Sequence, residues 1–411
     1  MRKLSFLLAA LLLLSACSNL SAGSGSAPVE LTFYSSYDGK EAELVQSRIK
    51  MFESENPNIK VNVKAVSFSS DSFKTALLGD QPVDLFRSDN SWVPELASLG
   101  LLYPIENMIS ADDRKDFVPS ALRSDEFESH LYGLPTVMES LALLYNKKLL
   151  QENGFAQPPK TMEELKTMSK ALKTANRYGI YVSDNSFYAL PYIWAFGGGT
   201  MTDDRQVEIA QPASVEALKF MRNLIVDGAA QPYPDFSDSY NVMMSDFKEG
   251  RSAFMINGPW AVSDLLAGAQ FKDASNLGIA VIPTGPKGDT GSPAGGHSLV
   301  ISKYSKHPKE SYALIRYLTS TESQLLHTKE LKSLPSRNSA YQDEQLMSDP
   351  IVQGFKVQLD AAKPRPLIPE GAQMFTDFTP NLVQILTGQQ SAEAGAKKIE
   401  AAWRTLLGLD K

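Results

Sequence analysis

From residue 29 onward, short stretches of alternating apolar and polar residues take turns with longer stretches of helical period. Val29, Leu31 and Phe33 alternate with polar neighbours, as do Ile59, Val61, Val63 and Ala65. Successive side chains of a strand point to opposite faces, so a period of two marks half-buried strands. Between these two runs, Gly39–Glu55 places Leu44, Val45, Ile49 and Phe52 on one face of a predicted helix. Val83–Phe86 is a short apolar strand candidate, and Leu141–Tyr145 is another. Thr161 and Glu164 stand at capping-box spacing, which predicts a helix whose inner face carries Leu165, Met168 and Leu172. A further helix is predicted from Ser214, with Val215, Leu218 and Ile225 inward and Gly228 as its stop. Strands are predicted at Ala253–Ile256, Leu277–Ile282 and Leu299–Ser302, and helices around Tyr312–Leu318 and Ala392–Leu407. There is no internal repeat and no coiled-coil heptad pattern.

Strands that alternate with helices predict an α/β protein with a mostly parallel sheet. Ligands of such sheets sit in the loops at the carboxyl ends of the strands. Two loops are placed there by the pattern: Ser35–Gly39, with Tyr37 and Asp38, and Arg87–Trp92, with Asp89 and Trp92.

The start of the chain has another character. Arg2 and Lys3 precede an apolar run, Leu4–Leu14, that is too short to span a bilayer, which needs about 20 apolar residues. A basic start, a short apolar stretch and a small-residue exit read as a secretory leader. Its exit, Leu14-Ser15-Ala16-Cys17, resembles the bacterial lipobox, in which the cysteine is lipidated and becomes the first mature residue. Residues 1–16 are therefore expected to be a lipoprotein signal peptide. Residues 17–28, rich in Ser, Gly and Ala, are expected to be a flexible tether. Cys17 is the only cysteine, so an intramolecular disulfide framework and every multi-cysteine metal or redox motif are excluded. The mature chain must hold itself together with a sizeable core, and its length allows two or three domains.

The chain carries 40 Lys and Arg against 47 Asp and Glu, a formal charge of −7, with no basic block. A mildly acidic surface is a poor partner for nucleic acid. The four histidines, His130, His297, His307 and His327, have no metal-ligand spacing. There is no phosphate-binding loop, no dinucleotide fingerprint and no nucleophile elbow. No metal and no cofactor is expected. The notable residues are aromatic and polar ones in predicted loops: Tyr37, Trp92, Tyr188, Trp194 and Trp260. An aromatic ring can lie against the apolar face of a sugar while carboxylates and amides bond its hydroxyls. A tryptophan of a soluble protein more often packs in the core, so these residues alone do not define a site.

Several local patterns together resemble the carbohydrate-binding proteins of ABC importers, the group that includes maltose- and trehalose-binding proteins. They are Leu131-Tyr132-Gly133-Leu134-Pro135 followed by Glu139 and Leu143–Lys147; Phe247–Met255 followed by Asn257-Gly258-Pro259-Trp260; and Pro335-Ser336-Arg337. The resemblance covers nearly the whole mature chain. It implies a two-lobed periplasmic-binding-protein-like fold with crossing hinge strands and a ligand cleft between the lobes. Residues 29–137 plus 284–332 would form one lobe, and 138–283 plus 333–411 the other. Glu139 matches an acidic residue that bonds sugar hydroxyls, and Trp260 an aromatic platform. Asp89 and Trp92 lie in a loop like a sugar-contacting loop, and Asn185, Phe187 and Tyr188 fall where relatives place polar and aromatic contacts. Gly295-Gly296-His297 resembles a Gly-Gly-aromatic segment, with His297 where some disaccharide binders carry Trp. Arg365 resembles an arginine that reaches the cleft.

The function implied is the extracytoplasmic substrate-binding subunit of an ABC importer. It would be a non-enzyme and a monomer, held to the membrane by a lipid on Cys17. It would capture a mono- or oligosaccharide by lobe closure and deliver it to the importer's transmembrane subunits. Two other readings stand beside it. One is a receptor for glycerol phosphate, a polyamine or a peptide. The other is a glycoside-active enzyme using Asp89 and Glu139 as a carboxylate pair.

Overall fold

The computed structural model describes residues 28–79, 83–232 and 236–410. The leader, Cys17 and the tether up to residue 27 lie outside the described residues.

In the first part of the chain come β1 (Val29–Ser35), α1 (Gly39–Glu55), β2 (Ile59–Ala65), β3 (Leu85–Asp89) and β4 (Gly133–Glu139). The middle supplies β5 (Ala142–Asn146), α2 (Met162–Ala171), β6 (Tyr178–Tyr181), α3 (Pro212–Val226), β7 (Ser252–Asn257) and β8 (Leu277–Ala280). The last part supplies β9 (Pro293–Ile301), α4 (Thr321–Leu331), β10 (Lys363–Pro364), α5 (Met374–Thr387) and α6 (Ala392–Leu406).

The first lobe is built on a sheet in the order β10-β9-β3-β1-β2, with β4 on the other side of β9. Alternation along each strand feeds two cores. Leu31, Phe33, Leu85, Leu299 and Ile301 pack on one face against Val45, Ile49 and Phe52 of α1. Tyr34, Phe86 and Val300 pack on the other, against Phe73, Val93 and Leu96. The second lobe is a sheet in the order β8-β5-β7-β6, sharing a large core with α2, α3, α5 and α6. In α6, Ala392, Ala396, Ile399 and Trp403 recur at helical spacing and are buried. Trp403 is fully buried, and its indole N–H donates to the Met374 carbonyl at 3.1 Å.

The sheets are mixed rather than mostly parallel. Pairs β1–β2, β1–β3 and β9–β10 are parallel, but β9 runs antiparallel to both β3 and β4. The reason is topological, because a strand that returns from the other lobe enters the sheet from the opposite end. The return also starts later than residue 284. Thr284 bridges Thr161 in the second lobe, and the first sheet is rejoined at Pro293.

Local signals had two outcomes. Thr161 caps α2 as its spacing required, its Oγ1 accepting from the Glu164 N–H at 3.1 Å. Glu164 reaches back one residue further, to the N–H of Lys160 at 2.7 Å. Ser214 is not the start of its helix. Pro212 opens α3, where its missing N–H costs nothing, and the Ser214 hydroxyl is buried against the Gly199 carbonyl.

The Pro335-Ser336-Arg337 segment belongs with the first lobe, not with the second as 333–411 implied. The Ser336 hydroxyl donates to the Pro135 carbonyl at 2.7 Å. Arg337 donates to Asp113 at 2.7 Å and Asp116 at 3.1 Å, and its guanidinium lies 4.0 Å from the centre of the Phe117 ring. Only 5 % of its side chain is exposed. Removing one partner of a buried ion pair leaves the other charge uncompensated. Arg337→Ala should therefore destabilise the protein by about 3 kcal/mol, read as a lower denaturant midpoint; an unchanged midpoint would show that the cluster holds nothing.

Candidate functional site

The pairing of β9 with two neighbours brings chemistry together. His297 stands opposite Asp89 of β3, and Gly295 stands opposite Glu139 of β4. A register shift falls between His297 and Ser298. Gly296 permits the close approach, with φ +149° and a position where a Cβ would lie 2.1 Å from the Val137 carbonyl oxygen. Gly296 thus shapes the backbone, and no side chain of its own meets a ligand.

Arg365, which follows β10, closes over this end of the sheet. Its Nη2 donates to Asp89 Oδ1 and Asn90 Oδ1, each at 2.7 Å, and its Nη1 donates to Ser91 Oγ at 3.1 Å. Asp89 also accepts from the Ser91 N–H at 2.8 Å and the Ser91 hydroxyl at 2.7 Å. Burial would raise the Asp89 pKa, but Arg365 and these hydrogen bonds outweigh it and hold the carboxyl below its usual value.

Arg87 organises the neighbouring groups. Its Nη2 lies 3.0 Å from His297 Nδ1 and 3.5 Å from Glu41, and its guanidinium stacks 4.4 Å from the Tyr37 ring centre. An arginine can only donate, so Nδ1 accepts and the neutral imidazole carries its proton on Nε2. Burial, and then the nearby guanidinium, push the His297 pKa well below its usual value. Glu139 lies 3.7 Å from the same Nδ1, so the two are neighbours without an ion pair. No described residue donates a hydrogen bond to Glu139. Burial lifts its pKa to about 7; Arg87 and Arg365 oppose that shift, while Glu41 and Asp89 reinforce it.

Aromatic surfaces flank this polar centre. On the first lobe Phe68 lies on Trp92, ring centres 4.5 Å apart, and turns an edge to His297 at 5.1 Å. Phe68 is 43 % exposed, so the pair presents a face to solvent. On the second lobe Phe187 lies 5.8 Å from Tyr188 and 6.4 Å from Trp260. The Trp260 indole lies beside the hydroxyls of Tyr188 and Tyr240. Gly258 makes that placement possible: a Cβ there would fall 1.9 Å from the indole ring.

Of the residues expected at the site, Tyr37, Asp89, Trp92, Glu139, His297 and Arg365 converge at one end of the first sheet. Phe187, Tyr188 and Trp260 form a wall from the second lobe, and Arg365 reaches it, 5.9 Å from the Phe187 ring centre. Asn185 is a turn-former, its Oδ1 accepting from the Phe187 N–H at 2.9 Å. Asp38 is exposed at the start of α1. Trp194, placed in a loop by its sequence, is a core residue of the helix Leu190–Ala195. Phe68, Glu41 and Tyr240 were not expected. Phe68 follows the carboxyl end of β2, so the rule that singled out Tyr37 and Asp89 would have found it. Among the described residues no three His, Cys, Asp or Glu side chains come together to hold a metal.

Two lobes with a polar, aromatic-walled cleft between them define a binding protein that closes on a solute. Residues 37–325 match the bacterial extracellular solute-binding proteins, and the chain belongs to that family. It is similar to the maltotriose-binding protein of Pyrococcus abyssi, 27 % identical over 87 % of this chain and 77 % of that one. A maltooligosaccharide ABC transporter solute-binding lipoprotein of Streptococcus pneumoniae is 26 % identical over 94 % and 92 %. The GacH receptor of Streptomyces glaucescens, solved unliganded and with acarbose, superposes with a TM-score of 0.88 at 34 % identity, over 93 % and 99 % of the two chains.

The free carboxyl of Glu139 has a consequence for pH. Its folded pKa of about 7 exceeds the ordinary 4.5, so the folded state binds more protons between those values. Glu139 therefore contributes stability below about pH 4.5 that is lost as pH rises through 7. Carbon-13 NMR of the ligand-free protein should find a glutamate midpoint near 7 that vanishes in Glu139→Gln. A midpoint at the ordinary value would contradict this account of its burial.

Proposed function

We propose that the protein is the extracytoplasmic substrate-binding subunit of an ABC importer, that its solute is a mono- or oligosaccharide, and that capture is by lobe closure without a chemical step. The observation that carries the reading is the pairing of aromatic faces from both lobes with a half-buried carboxylate, Glu139, to which no described side chain donates. A sugar supplies what that arrangement lacks: apolar ring faces for Trp92, Phe68 and Trp260, and hydroxyl donors for Glu139. The saccharide ligands named for the relatives support the same class.

Anionic solutes fit poorly, since Arg87 and Arg365 are already committed to Glu41, His297 and Asp89. Hydrolysis fits poorly as well. Asp89 Oδ1 accepts from Ser91 and Arg365, and Oδ2 lies 3.5 Å from Arg365 Nη1, so Asp89 is not a free nucleophile or base. The proposed contacts are Tyr37, Asp38, Asp89, Trp92, Glu139, Asn185, Phe187, Tyr188, Trp260, Gly296, His297 and Arg365. Among them Glu139, Trp92 and Trp260 supply the energy, Asn185 and Gly296 act through backbone geometry, and Arg365 and Asp89 act by holding each other in place and not by touching the solute. Delivery to the permease would be by a monomer tethered through lipid on Cys17. Stable attachment needs two or more acyl chains, since one binds only marginally.

A thermal-shift screen of sugars, polyols, peptides and organic anions tests the ligand class. A ligand at 100 times its dissociation constant adds about 2.7 kcal/mol, so a shift confined to one saccharide class is expected, and a shift with peptides or anions only would overturn the assignment. By calorimetry, Trp260→Ala should weaken binding of the sugar found by about 2 kcal/mol, as loss of a buried aromatic anchor does; unchanged affinity would remove the platform role. Cys17→Ser should release the protein from membranes, and continued membrane retention would contradict the lipid anchor.

A further inference from the structure

Residues 363–373 form a strap that is fastened alternately to the two lobes. Lys363 pairs with Pro293, and its N–H donates to the Ser292 carbonyl at 2.7 Å, beside the first sheet. Arg365 holds Asp89, Asn90 and Ser91 of the first lobe. Two residues later the strap crosses over, and the Leu367 N–H donates to Asp203 Oδ1 of the second lobe at 2.7 Å. Glu370 pairs with Arg205 of the second lobe at 3.0 Å. Gln373, just before α5, then reaches back to Glu95 of the first lobe at 3.4 Å. The loop between is tight, since a Cβ on Gly371 would lie 2.6 Å from the Pro366 carbonyl oxygen.

Within the strap the strongest link is Arg365. Its side chain is 8 % exposed, and both terminal nitrogens make charge-assisted bonds, which are roughly twice as strong as neutral ones. Because the guanidinium also sits against Phe187 of the second lobe, loosening it frees the two lobes from each other on that side of the cleft.

We propose that Arg365 is a positioning residue that sets how far the two lobes close before any solute arrives, by clasping the strap of the second lobe onto the Asp89–Ser91 turn of the first. Only the closed form offers both walls at once, so the apparent dissociation constant of every solute varies inversely with the closed fraction that the clasp maintains. A group that merely touched one sugar would instead affect each ligand differently. The second half of this inference rests on the receptor reading above, and the first half needs no ligand.

The test places spin labels on exposed positions of the two lobes, Lys50→Cys in α1 and Val226→Cys in α3, in a Cys17→Ser background. Pulsed EPR of the ligand-free protein then reads the lobe separation. In Arg365→Gln the distribution should move to longer distances. The double variant Asp89→Asn with Arg365→Gln, which leaves no buried unpaired carboxylate, should do the same and carries the test if the single variant does not fold. Affinities for two or more sugars bound by the wild type should fall by a common factor, on the order of tenfold. An unchanged ligand-free distance distribution, or losses that differ from sugar to sugar, would overturn the proposal. If no sugar binds the wild type, the receptor reading fails, and the ligand-free distances still decide whether the clasp exists.

Discussion

The site exists because one strand has two partners. Pro293–Ile301 returns from the second lobe and takes its place between Leu85–Asp89 and Gly133–Glu139. That register puts His297 against Asp89 and Gly295 against Glu139, and it leaves room at the strand's start for Lys363 and Pro364 to pair. Four segments far apart in the chain then deliver an imidazole, two carboxylates and the Arg365 guanidinium to one place. Gly296 is the condition for it, because any side chain there would meet the Val137 carbonyl. The cores on the two faces of the sheet keep that register, since a slip of one residue would turn Leu299 and Val300 to the wrong faces.

Charge at the cleft is arranged in committed pairs with one exception. Arg365 satisfies Asp89, and Arg87 spans Glu41 and His297. The effect on His297 is decisive. With its Nδ1 accepting from a cation, the ring stays neutral and cannot offset the negative charge of its neighbours. Glu139 is left as an acceptor whose nearest cations face other groups. Its side chain is 16 % exposed, so water reaches the carboxyl while the cleft is open, and in the role proposed above a solute hydroxyl would take the place of that water once the lobes close.

Much of this was legible in the chain. Period-two and helical patterns located α1 and β2 at their observed bounds, because each packs one face on a core and turns the other outward, and they found β1 at Val29–Phe33 but not its end, where Tyr34 and Ser35 are buried as well. The rule that ligands collect at carboxyl ends of strands found Tyr37, Asp89 and Trp92. What it could not supply is long-range pairing. Arg365 and Asp89 are 276 residues apart, and no local pattern says that Arg365 has spent its donors on the first lobe. Glu41 was hidden for a different reason, since one turn into an amphipathic helix a glutamate looks like any solvated charge. Trp194 went the other way, an aromatic that its neighbours in sequence left ambiguous and that packing drew into the core.

Gly258 matters for what it permits. The indole of Trp260 folds back over the glycine's Cα, with the Tyr188 and Tyr240 hydroxyls beside it. Its orientation is therefore settled when the chain folds and not when a solute arrives, so little rotamer entropy remains to be lost on binding. A platform fixed in this way does not adapt its angle to different guests. In the role proposed for that ring, the choice between guests would fall to what the first lobe sets against it, Trp92, Phe68 and His297.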